Sequence, residues 1–466
     1  MAFASVRFYR WYLLLLLAVA LVWLLALVID AYKFLGVTAP QGAGIDLVGL
    51  ITVTILSLLV SVLFYAIPSR FDRVVGYISS ILILIDIVIL LSVPELRTRA
   101  GVTTGIPVVA FALVSFVSGA YANNLLLRAK VAEDMRSFGH VDNRKTLFEW
   151  AEVFIFNTVR AALLVAVAII SINLIIDAAD SNSTPLGTIV AVQVPKFAAN
   201  MRIHVACSPA GSSGPLVLVE AGHASAEESV RWMLGARGVG TLCYWDRPGR
   251  GFSDNIPSPV AMDEIVTVFT DALEVVRPGF MNESIILVSG GTGALYSRVL
   301  AAKLGKSVAG MMLIDGTHEE LFYDTWGILK SLWHFALGAS SSLRLGKISS
   351  VVQSYGSDDR IYGRLEHLSA RYQKAILQEL AAASHQSRRA IGDATLALAP
   401  HIPLIVVSSS ERCKDQQWST YQRLLLKLSD NVLAWRIIEG PHELWKNSKA
   451  VKELTDLLEG LVKYTV

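Results

Sequence analysis

A chain of 466 residues that is 53% apolar and only 17% charged carries more hydrophobic matter than a soluble globular protein needs, so part of it is expected in lipid. A formal net charge of +2, without any Lys/Arg-rich block, excludes nucleic acid or an acidic polymer as the expected partner. Three widely spaced cysteines, Cys207, Cys243 and Cys413, lack paired metal-ligand spacing. They read as buried small apolar residues, with one bridge as the alternative, and neither a metal nor a cofactor is expected.

The first 180 residues are expected to form an α-helical transmembrane bundle. A helix needs about 20 mostly apolar residues to cross the hydrocarbon core. Such stretches fall at 11–28, 47–67, 75–93, 102–120 and 153–176, giving about five spans, the fourth interrupted by glycines and threonines. Further spans follow the first without a small-residue cleavage site, which argues against a cleaved leader. With the N-terminus in the cytosol, the inner loops carry Arg7, Arg10, Arg70, Arg73, Arg128, Lys130, Arg136, Arg144 and Lys145, and the outer loops only Lys33, Arg97 and Arg99. That bias orients the bundle, and an odd number of spans then places everything after about residue 176 on the exoplasmic side, lumenal or extracellular. Two Asn-x-Ser/Thr triplets, at Asn182 and Asn282, fall on that side.

Two ionisable residues interrupt the spans, Asp86 in "ILILIDIVILL" and Arg160 in "FNTVRAALLV". Charges at that depth face a partner or a wet cavity. Counted from the cytosolic side they lie about 12 and about 8 residues deep, a vertical offset of roughly 6 Å, and they are expected to pair. The alternative is two separately buried or snorkelling residues. No inverted repeat and no pair of broken helices suggests a transporter.

The segment "DSNSTPLG" (180–187) reads as a linker to the second domain, 181–466. Beyond it, β-branched runs at 189–194, 202–207, 216–220, 241–245, 284–288, 310–314, 403–408 and 432–438 alternate with amphipathic segments. This pattern predicts an eight-strand, mostly parallel sheet covered by helices.

The motifs "PLVLVEAGHAS", "CYWDRPGRGFSD", "ILVSGGTGALYSR", "MMLIDGTHEELF" and "IIEGPHELW" occur in the order and at the spacings of the α/β-hydrolase fold, and from about Gly187 onward the chain resembles its alpha/beta hydrolase-1 group. The resemblance implies a nucleophile elbow at "SGGTGA". In the pattern G-x-S-x-G, Ser289 stands at the first glycine, Gly290 next, Gly291 at the serine and Gly293 at the last glycine. Gly291 has no side chain with which to attack.

A shift of one residue makes Thr292 the candidate nucleophile, and Ser289 at the strand end is a third option. His442 stands where the family's general base sits. The acid is either Asp315 or, after the next strand, Glu411 or Asp415; its role would be to hold the imidazole tautomer and stabilise its cation. His318 and Glu319 follow Asp315 in a family turn. Gly222 and His223 occupy the loop that donates an oxyanion N–H. An insertion at about 320–400 is expected to form a helical cap. Its apolar segment 321–345, with Trp326, Leu329, Trp333, Phe335 and Leu337, either packs within the cap, or lines an acyl pocket or dips into the outer leaflet.

Three functional classes follow. The first is a membrane-anchored, non-catalytic binder of membrane lipid, a small-molecule ligand in the cleft, or a protein. The second is a carboxylic-ester or lipid hydrolase using Thr292 and His442. The third is a structural subunit of a complex with membrane-protein partners.

Overall fold

A computed structural model describes residues 2–65, 69–140, 146–194, 197, 200–209, 214–222, 226–324 and 328–465. The chain forms two compact units. The first comprises Met1–Ser183, Phe335–Ser357 and Leu368–Gln373; the second comprises Thr184–His334, Asp358–His367 and Lys374–Val466. The expected boundary near residue 180 therefore shifts to Ser183, and two stretches of the cap insertion group with the membrane helices.

The first unit is built on α1 (Ala2–Tyr32), α2 (Leu47–Leu63), α3 (Arg70–Ser92), α4 (Ile106–Phe138) and α5 (Leu147–Asp180). Among the described residues, four helical stretches, in α1, α3, α4 and α5, are long and apolar enough to cross a membrane, whereas α2 has 17 residues and ends four short of its expected span. Side chains such as Leu15, Val22, Ile81, Val88 and Val165 stay exposed on these helices, as a lipid-facing surface requires. Helix α5 opens on a capping box. Glu149 N donates to Thr146 Oγ1 (3.3 Å), and Thr146 N donates to the Glu149 carboxylate (2.7 Å), so two otherwise orphaned donors are satisfied. At the crossing of α3 and α4, a Cβ on Gly76 would lie 2.8 Å from Ala120 Cβ, so the absence of a side chain sets the approach of the two backbones.

The expected Asp86–Arg160 pair does not form. Arg160 Nε lies 2.6 Å from Asp72 Oδ1, and its other nitrogens donate to Ser57 Oγ (2.7 Å) and Ser61 Oγ (2.5 Å). Asp86 instead accepts from Ser171 Oγ at 2.9 Å. The physical reason lies in the start of α3. The helix begins at Arg70, not at residue 75, so Asp72 is a buried helical residue and not a loop one. It stands 14 residues before Asp86, roughly 21 Å along the axis, at the level Arg160 reaches.

Elements of the insertion complete this unit. Phe335 stacks on Tyr32 with ring centroids 5.8 Å apart, Asn173 Nδ2 donates to Ser342 O (2.8 Å), and Lys347 pairs with Asp177. Leu329 and Trp333 are exposed, while Trp326 lies outside the described residues, as do Arg144 and Lys145.

The second unit is an eight-strand, mostly parallel sheet of the α/β-hydrolase type. Its strands are β1 (Thr188–Gln193), β2 (Asn200–Cys207), β3 (Leu216–Glu220), β4 (Thr241–Trp245), β5 (Ile285–Gly290), β6 (Val308–Ile314), β7 (Leu404–Ser409) and β8 (Val432–Ile438). They lie in the order β1-β2-β4-β3-β5-β6-β7-β8; β2 runs antiparallel to β1 and β4, and the remaining pairings among the described residues are parallel.

Alternate residues feed two cores. Leu216, Leu218, Leu287 and Leu313 face the helices Met262–Val276 and Gly293–Leu304, while Val217, Val219, Ile286 and Ile314 face Ser448–Thr465. Burial on both sides explains the near-continuous apolar runs of the central strands. A disulfide joins Cys207 to Cys243, which stand opposite each other on β2 and β4. That corrects the reading of these cysteines as unpaired apolar residues, whose distance in sequence hid their register. Cys413 is free.

Candidate active site

Strand β5 delivers the chain to Gly291, which has φ +52°, and helix Gly293–Leu304 begins two residues later. Such a turn from strand to helix, with a left-handed residue at the apex, is the geometry of a nucleophile elbow. Backbone bonds fix it in place. Gly291 N donates to Ile314 O (3.2 Å), and Gly291 O accepts from Thr317 N (2.9 Å). The elbow also crosses β3 closely, because a Cβ on Gly293 would lie 2.2 Å from Glu220 O. Arg298 on the elbow helix is fully buried and grips Glu319 with both terminal nitrogens, which ties that helix to the turn after β6.

Asp315 and His442 meet beside the apex. Asp315 follows β6 with φ +46° and is fully buried. Its carboxylate accepts from Ser409 N (3.1 Å), Ser409 Oγ (2.8 Å), Trp418 Nε1 (2.9 Å) and His442 Nδ1 (2.6 Å). With Nδ1 donating, His442 Nε2 is left as an acceptor. It faces the elbow. A Cβ placed on Gly291 would stand 3.0 Å from His442 Nε2 and 3.5 Å from its Cε1. Imidazole, orienting carboxylate and elbow are therefore assembled around a residue without a side chain.

The other candidates are placed differently. Thr292 has an ordinary helical conformation (φ −64°, ψ −19°) and is not the left-handed apex residue. Its Oγ1 is buried without a hydrogen-bond partner, and so is Ser289 Oγ inside β5. Asp415 caps helix Gln416–Leu425 by accepting from Gln417 N (2.9 Å), and both it and Glu411 are exposed. His318 is buried and stacked on Tyr421 with centroids 4.9 Å apart, its Nδ1 accepting from Glu320 N (3.2 Å). Burial holds its imidazole below the ordinary value. Glu319 is held low by Arg298, whose hydrogen bond and charge outweigh burial. His223 lies outside the described residues. Among the described residues no three or more His, Cys, Asp or Glu side chains gather as metal ligands.

Gly222 reveals a buried charged cluster that the motifs contained but did not announce. Its carbonyl accepts from Arg247 Nη2 and from Arg250 Nη1 (3.3 Å). Both guanidiniums also approach Glu379, at 3.6 and 3.4 Å, and Arg247 lies 4.4 Å over the Tyr296 ring. Glu220, at the end of β3, accepts from Trp245 Nε1 (2.8 Å) and is fully buried. Desolvation pushes its carboxyl up to about 7 against the opposing pull of Arg247. A cavity of about 10 Å³, the size of one water, adjoins Gly222, Arg247, Arg250 and Tyr362.

The "DRPGRGFSD" turn itself is structural. Asp246 accepts from His204 Nδ1 (2.7 Å) and Phe252 N (3.0 Å), while Asp254 binds Arg202 through Nε (3.0 Å) and Nη2 (2.7 Å).

Residues 2–207 match the family model described as a region of unknown function, DUF2417. Over 492 residues the chain is 24% identical to an uncharacterized protein of Schizosaccharomyces pombe, covering 96% of this chain and 90% of that one. Over 388 residues it is 24% identical to an uncharacterized vacuolar membrane protein of Saccharomyces cerevisiae, covering 69% of this chain and 59% of that protein's length. Among solved structures it is similar to a thermophilic esterase from Thermogutta terrifontis (13% identity, TM-score 0.43, 59% of this chain and 100% of that one). A putative epoxide hydrolase from Pseudomonas aeruginosa is similar to the same degree (14% identity, TM-score 0.43, 61% and 100%). The chain joins helices long and apolar enough to cross a membrane to an eight-strand, mostly parallel sheet of the α/β-hydrolase type.

Proposed function

We propose that this protein is a membrane-anchored α/β-hydrolase-fold protein whose elbow site does not carry out covalent serine-type hydrolysis and instead serves to bind a ligand or a protein. The observation that carries this reading is the Cβ position of Gly291, 3.0 Å from His442 Nε2: the spot where a nucleophile would receive its base is occupied by glycine. The unpartnered Thr292 Oγ1 speaks against its activation by His442, since a nucleophile needs its base within hydrogen-bond reach. The test is labelling of the wild-type chain by a fluorophosphonate beside a known serine hydrolase. Labelling that Thr292→Ala or Ser289→Ala abolishes would overturn the non-catalytic reading. Co-purification with a stoichiometric membrane protein would favour the subunit reading over ligand binding.

The same reading places the second unit on the exoplasmic face, in the lumen if the membrane is vacuolar like that of the yeast relative. With the 17-residue α2 counted as the fifth span, it is supported by the Lys/Arg bias, by the Cys207–Cys243 disulfide, which persists in oxidising compartments, and by the exposure of Asn182 and Asn282. A glycosidase-sensitive mass shift lost in Asn182→Gln/Asn282→Gln would establish that side. Full protease sensitivity of the second unit from the cytosolic side of intact vesicles would exclude it.

A further inference from the structure

A cavity of about 170 Å³ lies within the first unit, walled by Leu50, Leu90, Val109, Ile170 and Leu174. Asp86 from α3 and Asn173 from α5 line the same space, and each residue is 3% exposed. Both present an acceptor without a donor. Asp86 spends Oδ2 on Ser171 while Oδ1 has no partner; Asn173 spends its amide nitrogen on Ser342 O and Arg344 O while Oδ1 has no partner. Buried polar atoms are almost always paired, so two unpaired acceptors lining one cavity call for a donor from outside the chain.

The charges around the cavity specify that donor further. Lys347 is paired with Asp177 and Arg99 with Glu95, and Asp46 and Arg371, which also line the cavity, are engaged by other groups, whereas Asp86 has no cation within ion-pair distance among the described residues. The complementary group is therefore cationic and bears N–H bonds. Its body is apolar and small, because a cavity of roughly 150 Å³ accepts a molecule the size of benzene.

We propose that this cavity binds a small organic ammonium ion, with Asp86 as its counter-charge and Asn173 as a second acceptor. The inference stands apart from the elbow site. The ammonium could belong to a soluble amine or to an amino-phospholipid headgroup, and the choice of bilayer separates the two. A quaternary choline headgroup has no N–H to offer.

The experiment uses the full chain in nanodiscs of phosphatidylcholine alone, with thermal unfolding followed against concentration of benzylamine and of the neutral benzyl alcohol. Benzylamine is expected to raise Tm saturably, with the alcohol at least about tenfold weaker, as the loss of a charge-assisted hydrogen bond implies. In Asp86→Asn that preference disappears. If the natural source is lipid, phosphatidylethanolamine added to the nanodisc raises the Tm of the wild type but not of Asp86→Asn, and competes with benzylamine. Equal responses to amine and alcohol, or a preference that survives Asp86→Asn, would overturn the proposal. Should Asp86→Asn fail to fold, Val109→Trp/Ile170→Phe takes up most of the cavity with Asp86 in place. It must abolish the saturable response, and retention of that response would equally overturn the proposal.

Discussion

Replacing Glu220 with Gln removes a buried carboxyl whose cost can be worked out from its surroundings. The residue ends β3, is fully buried, and hydrogen-bonds Trp245 through one oxygen while the other has no partner. Burial pushes its carboxyl from 4.5 up to about 7. A folded-state value above the unfolded one means that the native state holds the extra proton between these limits. The contribution is fully present below about pH 4.5 and is lost as pH rises through about 7. At about 1.4 kcal/mol per unit, the gap of about 2.5 corresponds to about 3 kcal/mol. Gln keeps an acceptor for Trp245 without ever ionising. Denaturant unfolding of the full chain in detergent, followed by tryptophan fluorescence from pH 4.5 to 8.5, should show wild-type stability falling and the Glu220→Gln curve flatter by about 3 kcal/mol over that range. His204, held above its ordinary value because its bond to Asp246 outweighs burial, loses its contribution in the same direction as pH rises, and the difference between the two proteins removes it. Parallel curves would refute the assignment and would mean that Arg247 keeps Glu220 ionised throughout.

Breaking the Arg160–Asp72 pair from one side should cost about 3–5 kcal/mol, because it strands a buried charge. Asp72→Asn should therefore depress expression and detergent Tm more than the double change Asp72→Asn/Arg160→Gln, whereas adding Asp86→Asn to Arg160→Gln should give no such rescue. Removing the disulfide by Cys207→Ser/Cys243→Ser opens a loop of 36 residues and should cost about 3–4 kcal/mol, read as a lower unfolding midpoint that reductant reproduces in the wild type. Asp315→Asn keeps the shape but turns one acceptor toward donors, and should destabilise the second unit by about 1–3 kcal/mol. Circular dichroism of the full chain would detect it.

The sheet was legible because its signal is local. Apolar runs bounded by Gly, Pro and Ser placed the ends of all eight strands within two residues, and the order of motifs along the chain fixed what they build. The elbow was legible for the same reason, since Gly291 takes the left-handed turn that its alignment implied. Long-range pairings were not legible. Arg160 is joined to Asp72 across 88 positions, and nothing local distinguished Asp72 from a loop residue until the helix start at Arg70 was known. The choice among Asp315, Glu411 and Asp415 likewise depended on which carboxylate the fold buries beside His442, as only Asp315 meets the ring. The grouping of Phe335–Ser357 with the membrane helices left no mark in the periodicity of the insertion.

The most direct measurement compares fluorophosphonate labelling of the wild type, Gly291→Ser and Gly291→Ser/His442→Ala. The Cβ of a serine at position 291 would meet His442 Nε2 at 3.0 Å, tighter than ordinary contact, so His442 must first move back by a few tenths of an ångström, with Asp315 behind the ring. A hydrolase fold lacking only its nucleophile predicts a silent wild type, a labelled Gly291→Ser chain, and loss of that label when His442 is removed. Labelling of the wild type that disappears with Thr292→Ala would contradict it.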